Sequence, residues 1–266
     1  MTDKNPTTTP SQDSEAYKAK KRFFDSLMTV YGRKTVLEAL EDKSVSIYRL
    51  HLAKSNKSAS IVDEIISLAQ KKGAEILYHE RTALSRISKN ATQDQGVAAD
   101  LQLPGYQTFE QFLEQPPKKN YRLLALDGIT NPQNLGMIIR SACAGNIDGI
   151  LLPMKGNAQI DPLVIKASAG TLFRAPILRC QNLSQALQQF IAKGAVACAL
   201  SSHTEKQLST FTPTTPAIYV LGNETHGVSA EVFALCAEKV KIPMNNGVES
   251  LNVAVTAALI AFRDLL

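Results

Sequence analysis

Residues 121–152 read YRLLALDGITNPQNLGMIIRSACAGNIDGILL, and this stretch decides the fold class. An apolar run, YRLLALD, is followed by a polar loop, by a helical pattern from Asn134, and by a second apolar run, DGILL. Apolar strands joined by amphipathic helices are typical of a parallel sheet that is covered on both faces. The stretch therefore predicts an α/β fold built on a parallel sheet.

The same alternation continues to the C-terminus. The predicted elements are a helix from Asp161, a strand in FRAPILR, a helix from Leu183, strands in AVACAL and AIYVLG, a helix from Ser229, a strand in KVKIP and a last helix from about Ser250. In such sheets ligands bind outside the carboxyl ends of the strands, where loops lead into helices. Three loops are therefore candidates for a site: 127–136, 222–229 and 243–252.

Towards the N-terminus the pattern changes, which predicts a second domain. Residues 31–103 mix helical and strand periods, with a helix expected over 60–72 and closed by Gly73. The stretch LPGYQTFEQFLEQPPKKN then marks a boundary whose linker is partly structured. We expect a disordered leader over 1–16, an N-terminal domain over 17–103, a linker over 104–120 and a catalytic domain over 121–266. The cationic run Lys18–Arg22 either touches a phosphate backbone or starts a solvated helix.

Composition excludes several classes of protein. The chain has 266 residues, 44% hydrophobic and 20% charged, which argues against disordered and fibrous proteins. The start, MTDKNPTTTP, lacks a secretory segment, and no apolar run is long enough to cross a membrane, so we expect a cytoplasmic protein with no membrane partner. A net charge of +5 is compatible with nucleic acid but does not identify it.

The cysteines and histidines do not predict a metal site. The four cysteines, Cys143, Cys180, Cys198 and Cys236, form no C-x-x-C pair and occur in apolar contexts. The four histidines show no spacing typical of metal ligands. We therefore expect reduced cysteines in the core and no metal.

Each of the three loops has a plain structural explanation beside a functional one. Asn134 is placed to cap a helix, and Arg140 either lies on an exposed helix face or reaches a phosphate. Glu224 is either a surface turn residue or the polar group at the end of a strand. Ser250 and Asn252 either cap the last helix or present a hydroxyl and an amide to a substrate.

Taken together, the loops resemble one family. NPQNLGMIIRSA, LGNETHGVS and IPMNNGVESLNVAVTAAL match, in order and spacing, the three motifs of the SpoU-type (TrmH-like) RNA ribose 2′-O-methyltransferases of the SPOUT superfamily. The similarity covers residues 121–266. The segment from YGRKTVLEAL to GVAADL is similar to the ribosomal-protein-like RNA-binding domain that often precedes the catalytic domain in this family.

The resemblance implies a deep trefoil knot, an S-adenosylmethionine pocket and an active site completed across a homodimer. Asn134, Arg140, Glu224, Ser250 and Asn252 match the catalytic positions. The cofactor-binding positions are Leu221, Gly222, Asn223, Ile242, Met244 and Leu251. Arg140 would clamp the phosphate beside the target ribose, with Asn134 and Ser250 orienting the hydroxyl, while the group that finally accepts the proton stays open.

The substrate that the resemblance implies is RNA, with ribosomal RNA favoured over transfer RNA because of the N-terminal domain. One alternative is a non-catalytic RNA-binding protein that retains the fold. A nicotinamide-dependent oxidoreductase is less compatible with the sequence, because no G-x-G-x-x-G follows a predicted strand.

Overall fold

The structure is a computed structural model of the chain, and it describes residues 27–56, 59–102, 106–202 and 204–265. The expected leader over 1–16 and the cationic run Lys18–Arg22 lie outside the described residues. The described chain forms two sheets, each with its own set of helices.

The elements of the first sheet unit are β1 (Leu27–Tyr31), α1 (Arg33–Glu41), β2 (Ser46–Ala53), α2 (Ser60–Lys71), β3 (Glu75–His79), α3 (Arg81–Ser88) and β4 (Val97–Gln102). The four strands lie in the order β1-β4-β2-β3, with β2 and β3 parallel and the other pairs antiparallel. The apolar faces of α1 and α2 pack on one side of this sheet, with Leu40 and Ile65 buried against Leu50 and Leu52. Apolar residues at helical spacing thus give these helices their buried faces, as predicted for the helix over 60–72.

The strands of the second sheet are β5 (Gln107–Thr108), β6 (Arg122–Leu126), β7 (Gly149–Pro153), β8 (Ile177–Cys180), β9 (Val196–Leu200), β10 (Ala217–Leu221) and β11 (Glu238–Val240). These seven strands are parallel and lie in the order β11-β9-β10-β6-β7-β8-β5. Its α-helices are α4 (Phe109–Glu114), α5 (Pro132–Ala144), α6 (Pro162–Ala167), α7 (Leu183–Ala192), α8 (Ala230–Leu235) and α9 (Val253–Phe262). The predicted α/β fold with a parallel sheet is confirmed.

Both faces of the second sheet are covered. Leu124 and Leu126 of β6 belong to the cluster that packs under α5, α6 and α9. Leu123 and Ala125 of the same strand belong to the opposite cluster, under α4, α7 and α8. Because successive side chains of a strand point to opposite faces, a strand buried on both sides must be apolar throughout. This explains the continuous apolar run LLAL over residues 123–126.

Contacts between the two sheet units occur next to α1. Asp42, at the end of α1, lies 3.6 Å from the Nε atom of Arg174, and Ser44 donates a 3.4 Å hydrogen bond to the carbonyl of Phe173. The left-handed Gly170 lies beside Glu38 of α1. The helix that follows β1 therefore rests on the segment between α6 and β8.

The segment 104–120 is structured over Gln107–Glu114. Strand β5 pairs with β8, and Phe109 and Phe112 of α4 pack against Phe190. Thr108 caps α4, and it forms a reciprocal capping box with Gln111. These contacts attach this part of the linker to the second sheet.

Helix α5 begins earlier than the sequence suggested, and helix α9 begins later. The N-cap of α5 is Asn131, whose Oδ1 atom accepts from the amides of Gln133 and Asn134, and Pro132 occupies the first helical position. Asn134 is therefore inside the helix, and the prediction that it is the cap was wrong. Helix α9 begins at Val253 instead of about Ser250, because Asn252 accepts from the amide of Ala254 at 2.9 Å and fixes the start.

Candidate active site

A cavity of about 1040 Å³ opens at the carboxyl ends of β9, β10 and β11. It is lined mainly by the second and third loops. The lining includes all six residues expected to bind the cofactor, namely Leu221, Gly222, Asn223, Ile242, Met244 and Leu251, and also Glu224, Ser250 and Asn252. Loops that are distant in sequence thus form one pocket.

The second loop folds back tightly on Gly222. The backbones of Asn223 and Gly227 exchange two 2.9 Å hydrogen bonds, and Gly227 has a φ of +70°. A Cβ atom at Gly222 would lie 2.2 Å from the carbonyl carbon of Gly227 and the amide nitrogen of Val228. Only glycine fits where the end of β10 meets the returning loop, so this position has no room for a side chain.

Asn134 connects the first loop to the other two. Its Nδ2 atom donates a short hydrogen bond to Oε1 of Glu224, and its Oδ1 atom accepts a 3.0 Å hydrogen bond from Nδ2 of Asn252. Asn134 is 6% exposed, while Glu224 and Asn252 are exposed. The buried amide of Asn134 therefore connects to one residue in each of the other two loops. We refer to Asn134, Glu224 and Asn252 as the amide relay.

The helix cap determines the direction of the amide relay. Because Oδ1 of Asn252 accepts from the amide of Ala254, the Nδ2 group of Asn252 is left to donate to Asn134. The Oδ1 atom of Asn134 is then the acceptor, so its Nδ2 group must face Glu224. The start of α9 thus orients the hydrogen bond that holds the Glu224 carboxylate.

Further polar contacts hold the first loop in place, and the sequence analysis did not identify them as parts of the site. Nδ2 of Asn223 donates to the carbonyl of Gly128 at 2.9 Å, and the amide of Ser229 donates to Oδ2 of Asp127 at 2.7 Å. The buried Asn157 accepts from the amide of Ile129 at 2.7 Å. The signal for Asp127 was its position at the end of a buried strand, whereas nothing local identifies Asn157.

Arg140 lies apart from the amide relay within the chain. It is six residues after Asn134 on α5, about 9 Å further along the axis and on a different face. Arg140 is exposed, and within the described residues it makes no hydrogen bond or ion pair with the relay or with Ser250. Its guanidinium lies near Glu38 of α1, where burial and Glu41 raise the pKa of Glu38 while Lys34 and Arg140 oppose the rise.

Ser250 is exposed and lines the cavity without capping α9. Of the two explanations for Ser250 and Asn252, capping alone therefore fails for Ser250. For Asn252 both hold, because one side chain caps the helix through Oδ1 and contacts Asn134 through Nδ2.

An apolar surface borders Arg140. Val255 and Leu259 of α9 are 48% and 40% exposed, and Met137 of α5 is 40% exposed. Helices α5 and α9 pack against each other, and Arg140 lies one turn after Met137 on the same side of α5. We refer to Met137, Val255 and Leu259 as the α5/α9 apolar patch.

The described residues contain neither a cluster suited to a metal ion nor a membrane-spanning helix. Among residues 27–56, 59–102, 106–202 and 204–265, no group of three or more His, Cys, Asp or Glu side chains is arranged to hold a metal ion. Within the same ranges, no helix is both long and apolar enough to cross a membrane.

Comparison with known proteins agrees with this geometry. A sequence profile of the SpoU rRNA Methylase family matches residues 121–262, and a profile described as RNA 2′-O ribose methyltransferase substrate binding matches residues 29–107. A curated protein of Mycobacterium ulcerans (strain Agy99), named uncharacterized tRNA/rRNA methyltransferase, is 33% identical over 242 residues, which are 89% of this chain and 76% of the relative.

Two solved structures share the fold. The SpoU methyltransferase AviRb from Streptomyces viridochromogenes, in complex with AdoMet, aligns with a TM-score of 0.71 and 24% identity over 91% of each chain. An AdoMet-bound rRNA methyltransferase from Sinorhizobium meliloti aligns with a TM-score of 0.71 and 23% identity, over 92% of this chain and 89% of the other.

Proposed function

The chain belongs to the SpoU rRNA methylase family and is an RNA methyltransferase; from this premise we propose that it methylates a ribose 2′-hydroxyl in structured RNA, with S-adenosylmethionine as the methyl donor. The observation that carries the proposal is the amide relay, which brings Asn134, Glu224 and Asn252 together at the cavity. The match of the N-terminal segment to a 2′-O ribose methyltransferase substrate-binding profile supports ribose as the target.

The cavity fits the cofactor that the proposal requires. Its volume of about 1040 Å³ exceeds the usual range of small-molecule sites, so S-adenosylmethionine and part of the RNA substrate can occupy it together. The absence of a side chain at Gly222 lets a ligand approach the backbone of the second loop. We assign Leu221, Gly222, Asn223, Ile242, Met244 and Leu251 to the cofactor. When bound, S-adenosylmethionine supplies the methyl group.

The residues of the chain orient the substrate and promote loss of its proton. In-line placement of a hydroxyl supplies much of the barrier reduction in such transfers. Asn134, held by Glu224 and Asn252, and the exposed Ser250 provide an amide and a hydroxyl that can position the ribose. Arg140 provides two parallel donors for the neighbouring phosphate, and its positive charge favours proton loss from the ribose hydroxyl.

We further propose that the catalytic centre is completed across a homodimer. Arg140 does not reach the relay of its own chain, whereas the adjoining α5/α9 apolar patch would be buried by a second copy. Burial of such a patch favours association. A partner docked on this patch would bring the Arg140 of one subunit towards the relay of the other. The trefoil knot and the cytoplasmic location remain part of this proposal.

Ribosomal RNA is our preferred substrate over transfer RNA, because the matching family is described as an rRNA methylase. The name of the mycobacterial relative includes both RNA classes.

Transfer assays test the proposal directly. The purified protein should label in vitro transcribed ribosomal RNA with radioactive methyl groups, and the label should remain in alkali-resistant dinucleotides because a 2′-O-methyl group blocks cleavage. Methyl label on a base would contradict the ribose target. Binding of S-adenosylmethionine and RNA without transfer would favour the non-catalytic alternative. Parallel labelling of transfer RNA decides between the two substrates.

A further inference from the structure

Asn157 is a buried polar side chain in the loop 154–160 that follows β7. It is 8% exposed, although most of this loop faces solvent. Its Oδ1 atom accepts from the amide of Ile129 at 2.7 Å, and its Nδ2 group donates to the carbonyl of Leu126 at 3.2 Å. Both partners are backbone groups of the chain that leaves β6. One side chain therefore spans the turn with which the first loop begins.

The bond to Leu126 replaces a backbone donor that the sheet lacks. The amide of Asp127 donates to β10 at 2.9 Å, so the Leu126 carbonyl of the same peptide bond points the other way, towards β7. The register of β6 and β7 places residue 153 where its amide would donate to this carbonyl. Residue 153 is proline, which has no N–H group. The Nδ2 group of Asn157 supplies the missing donor.

The bond to Ile129 fixes the other end of the turn. Ile129 is fully buried, and its carbonyl accepts from the amide of Ala158 at 2.7 Å. Asn157 and Ala158 thus satisfy both backbone polar groups of Ile129, which would otherwise be buried without a partner. Because Ile129 is two residues before Asn131, the cap of α5, these bonds also determine where that helix begins.

The turn is held from two sides. The second loop holds the side nearest β10, through its bonds to the Asp127 carboxylate and the Gly128 carbonyl. Asn157 holds the side nearest β7. Helix α5, which follows this turn, carries Asn134 and Arg140. The position of both side chains relative to the cavity therefore depends on both attachments.

We propose that Asn157 is a positioning residue for methyl transfer, which holds the first loop where Asn134 and Arg140 can act on the substrate. It is buried and does not line the cavity, so it acts through the first loop. A displacement of about 1 Å in a positioned group can reduce a rate by about a hundredfold. Loss of Asn157 should therefore lower the rate of transfer while cofactor affinity is kept. The inference rests on the proposed function and adds a residue outside the three motifs.

Asn157→Ala in the full-length protein tests this role. With saturating S-adenosylmethionine and in vitro transcribed ribosomal RNA, the single-turnover rate should fall by about tenfold to a hundredfold. The rate is expressed per molecule that binds S-adenosylmethionine in calorimetry, so that unfolded protein does not count. The affinity for S-adenosylmethionine should stay within about threefold of wild type, because no residue of the first loop lines the cavity.

The matched control is Gln159→Ala in the same loop. Gln159 is exposed, and its side-chain amide donates to the carbonyl of Met154 at 3.2 Å, within the loop itself. The control removes an amide without touching the first loop, so its rate should stay within about twofold of wild type. Equal rates in wild type and Asn157→Ala, or equal losses in Asn157→Ala and Gln159→Ala, would refute the proposal.

Asn157→Asp keeps the shape of the side chain and tests the donor to Leu126. One oxygen still accepts from Ile129, but an ionised carboxylate repels the Leu126 carbonyl, whereas a protonated carboxyl group donates to it. Because burial favours the protonated form, the ratio of variant to wild-type turnover should rise as pH falls from about 8 to 6. A ratio that decreases over this range would contradict the donor role.

Hydrogen exchange separates this inference from the proposed function, because it requires no RNA. In Asn157→Ala, amides of the first loop should exchange about tenfold faster or more, while those of β10 keep their wild-type rates. Unchanged exchange in the first loop would refute the holding role of Asn157. A wild-type protein that transfers no methyl group to RNA would refute the proposed function itself, and exchange would still show whether Asn157 holds the loop.

Discussion

Each of the two sheet units contains a series of linked side-chain hydrogen bonds, and the two series end in different surroundings. In the first sheet, Thr29, Asp100, His51 and His79 link four neighbouring strands through bonds of 2.6, 3.0 and 3.0 Å. We refer to these four residues as the histidine ladder. In the second sheet, the amide relay links three loops and ends at the exposed carboxylate of Glu224, beside the cavity.

The comparison separates polar groups that stabilise a sheet from polar groups that serve a substrate. Each member of the histidine ladder bonds to the next strand, so the ladder satisfies buried groups such as His51, which is 5% exposed. The amide relay instead holds exposed side chains in fixed directions at a cavity, which contributes little to packing. Changes in the relay should therefore affect turnover, whereas changes in the ladder should affect stability.

The largest effect is expected at Arg140, which borders the relay only in the proposed dimer. Arg140→Ala should reduce turnover by about a thousandfold, because a lost transition-state donor costs roughly 10² to 10³ and the charge is lost as well. S-adenosylmethionine affinity should stay within a few-fold, because Arg140 does not line the cavity. Single-turnover kinetics measures the rate of methyl transfer, and calorimetry measures the affinity for S-adenosylmethionine. Recovery of more than about a tenth of the rate by Arg140→Lys would show that charge suffices without the planar geometry.

Mixing two inactive variants tests whether Arg140 acts across the dimer. Arg140→Ala and Asn134→Ala should each be inactive, but in a mixed dimer one site combines an intact Arg140 with an intact relay. Random reassociation gives half mixed dimers with one active site each, so about a quarter of wild-type activity should return. No recovery after subunit exchange, with mixed dimers present by mass spectrometry, would place Arg140 in the site of its own chain.

A smaller effect is expected when the relay is broken but the helix cap is kept. In Asn252→Asp, a carboxylate oxygen still accepts from the amide of Ala254, but the group that donates to Asn134 is gone. Turnover should fall by about tenfold while the melting temperature is unchanged, because Asp and Asn cap helices equally well. The control Asn252→Ala should also lose about 1 kcal/mol of stability. Unchanged turnover in Asn252→Asp would reduce the role of Asn252 to capping.

The sequence predicted the parallel sheet well but the relay only in part. Runs such as LLAL over residues 123–126 are apolar because both faces of β6 are buried there, so the local pattern suffices to identify them. The start of α5 was misplaced because Asn131 and Asn134 are both capping residues, although Pro132 after Asn131 was an available signal. The bond from Asn252 to Asn134 spans 118 positions, and no local pattern encodes such a pairing.

Two of the three motifs meet at one cavity, because each motif covers a loop that follows a strand. Residues of the second and third motifs line one cavity, as expected from strands that end at one edge of a sheet. Asn157 lies outside the motifs, and it looks ordinary in sequence. Its part in holding the first loop becomes visible only when its burial and its partners are known.

The histidine ladder gives a prediction for stability alone. Asp100 is desolvated by burial, but hydrogen bonds from His51 and Thr29 outweigh this and lower its pKa. Its contribution is then present above the ordinary carboxyl pKa and is lost as pH falls through the lowered value. Asp100→Asn should cost about 1 to 2 kcal/mol at neutral pH and make acid unfolding less steep. Denaturant titrations at several pH values measure the free energy of unfolding and its dependence on pH. If Asp100→Asn lost turnover but kept its full stability, the histidine ladder would not serve stability alone.

The smallest effect is expected at His79, the partly buried end of the ladder. Burial, His51 and Lys54 together lower the pKa of His79 below its ordinary value of 6.5. Between that lowered value and 6.5 the unfolded chain binds more protons than the folded chain, so stability declines as pH falls through this window. His79→Gln removes the titrating group, and the decline between about pH 7 and 5 should become shallower while turnover at pH 8 stays unchanged. Thr82→Gln, an exposed change nearby on α3, is the control and should keep the wild-type slope. An unaltered slope in His79→Gln would show that another group governs stability in this pH range.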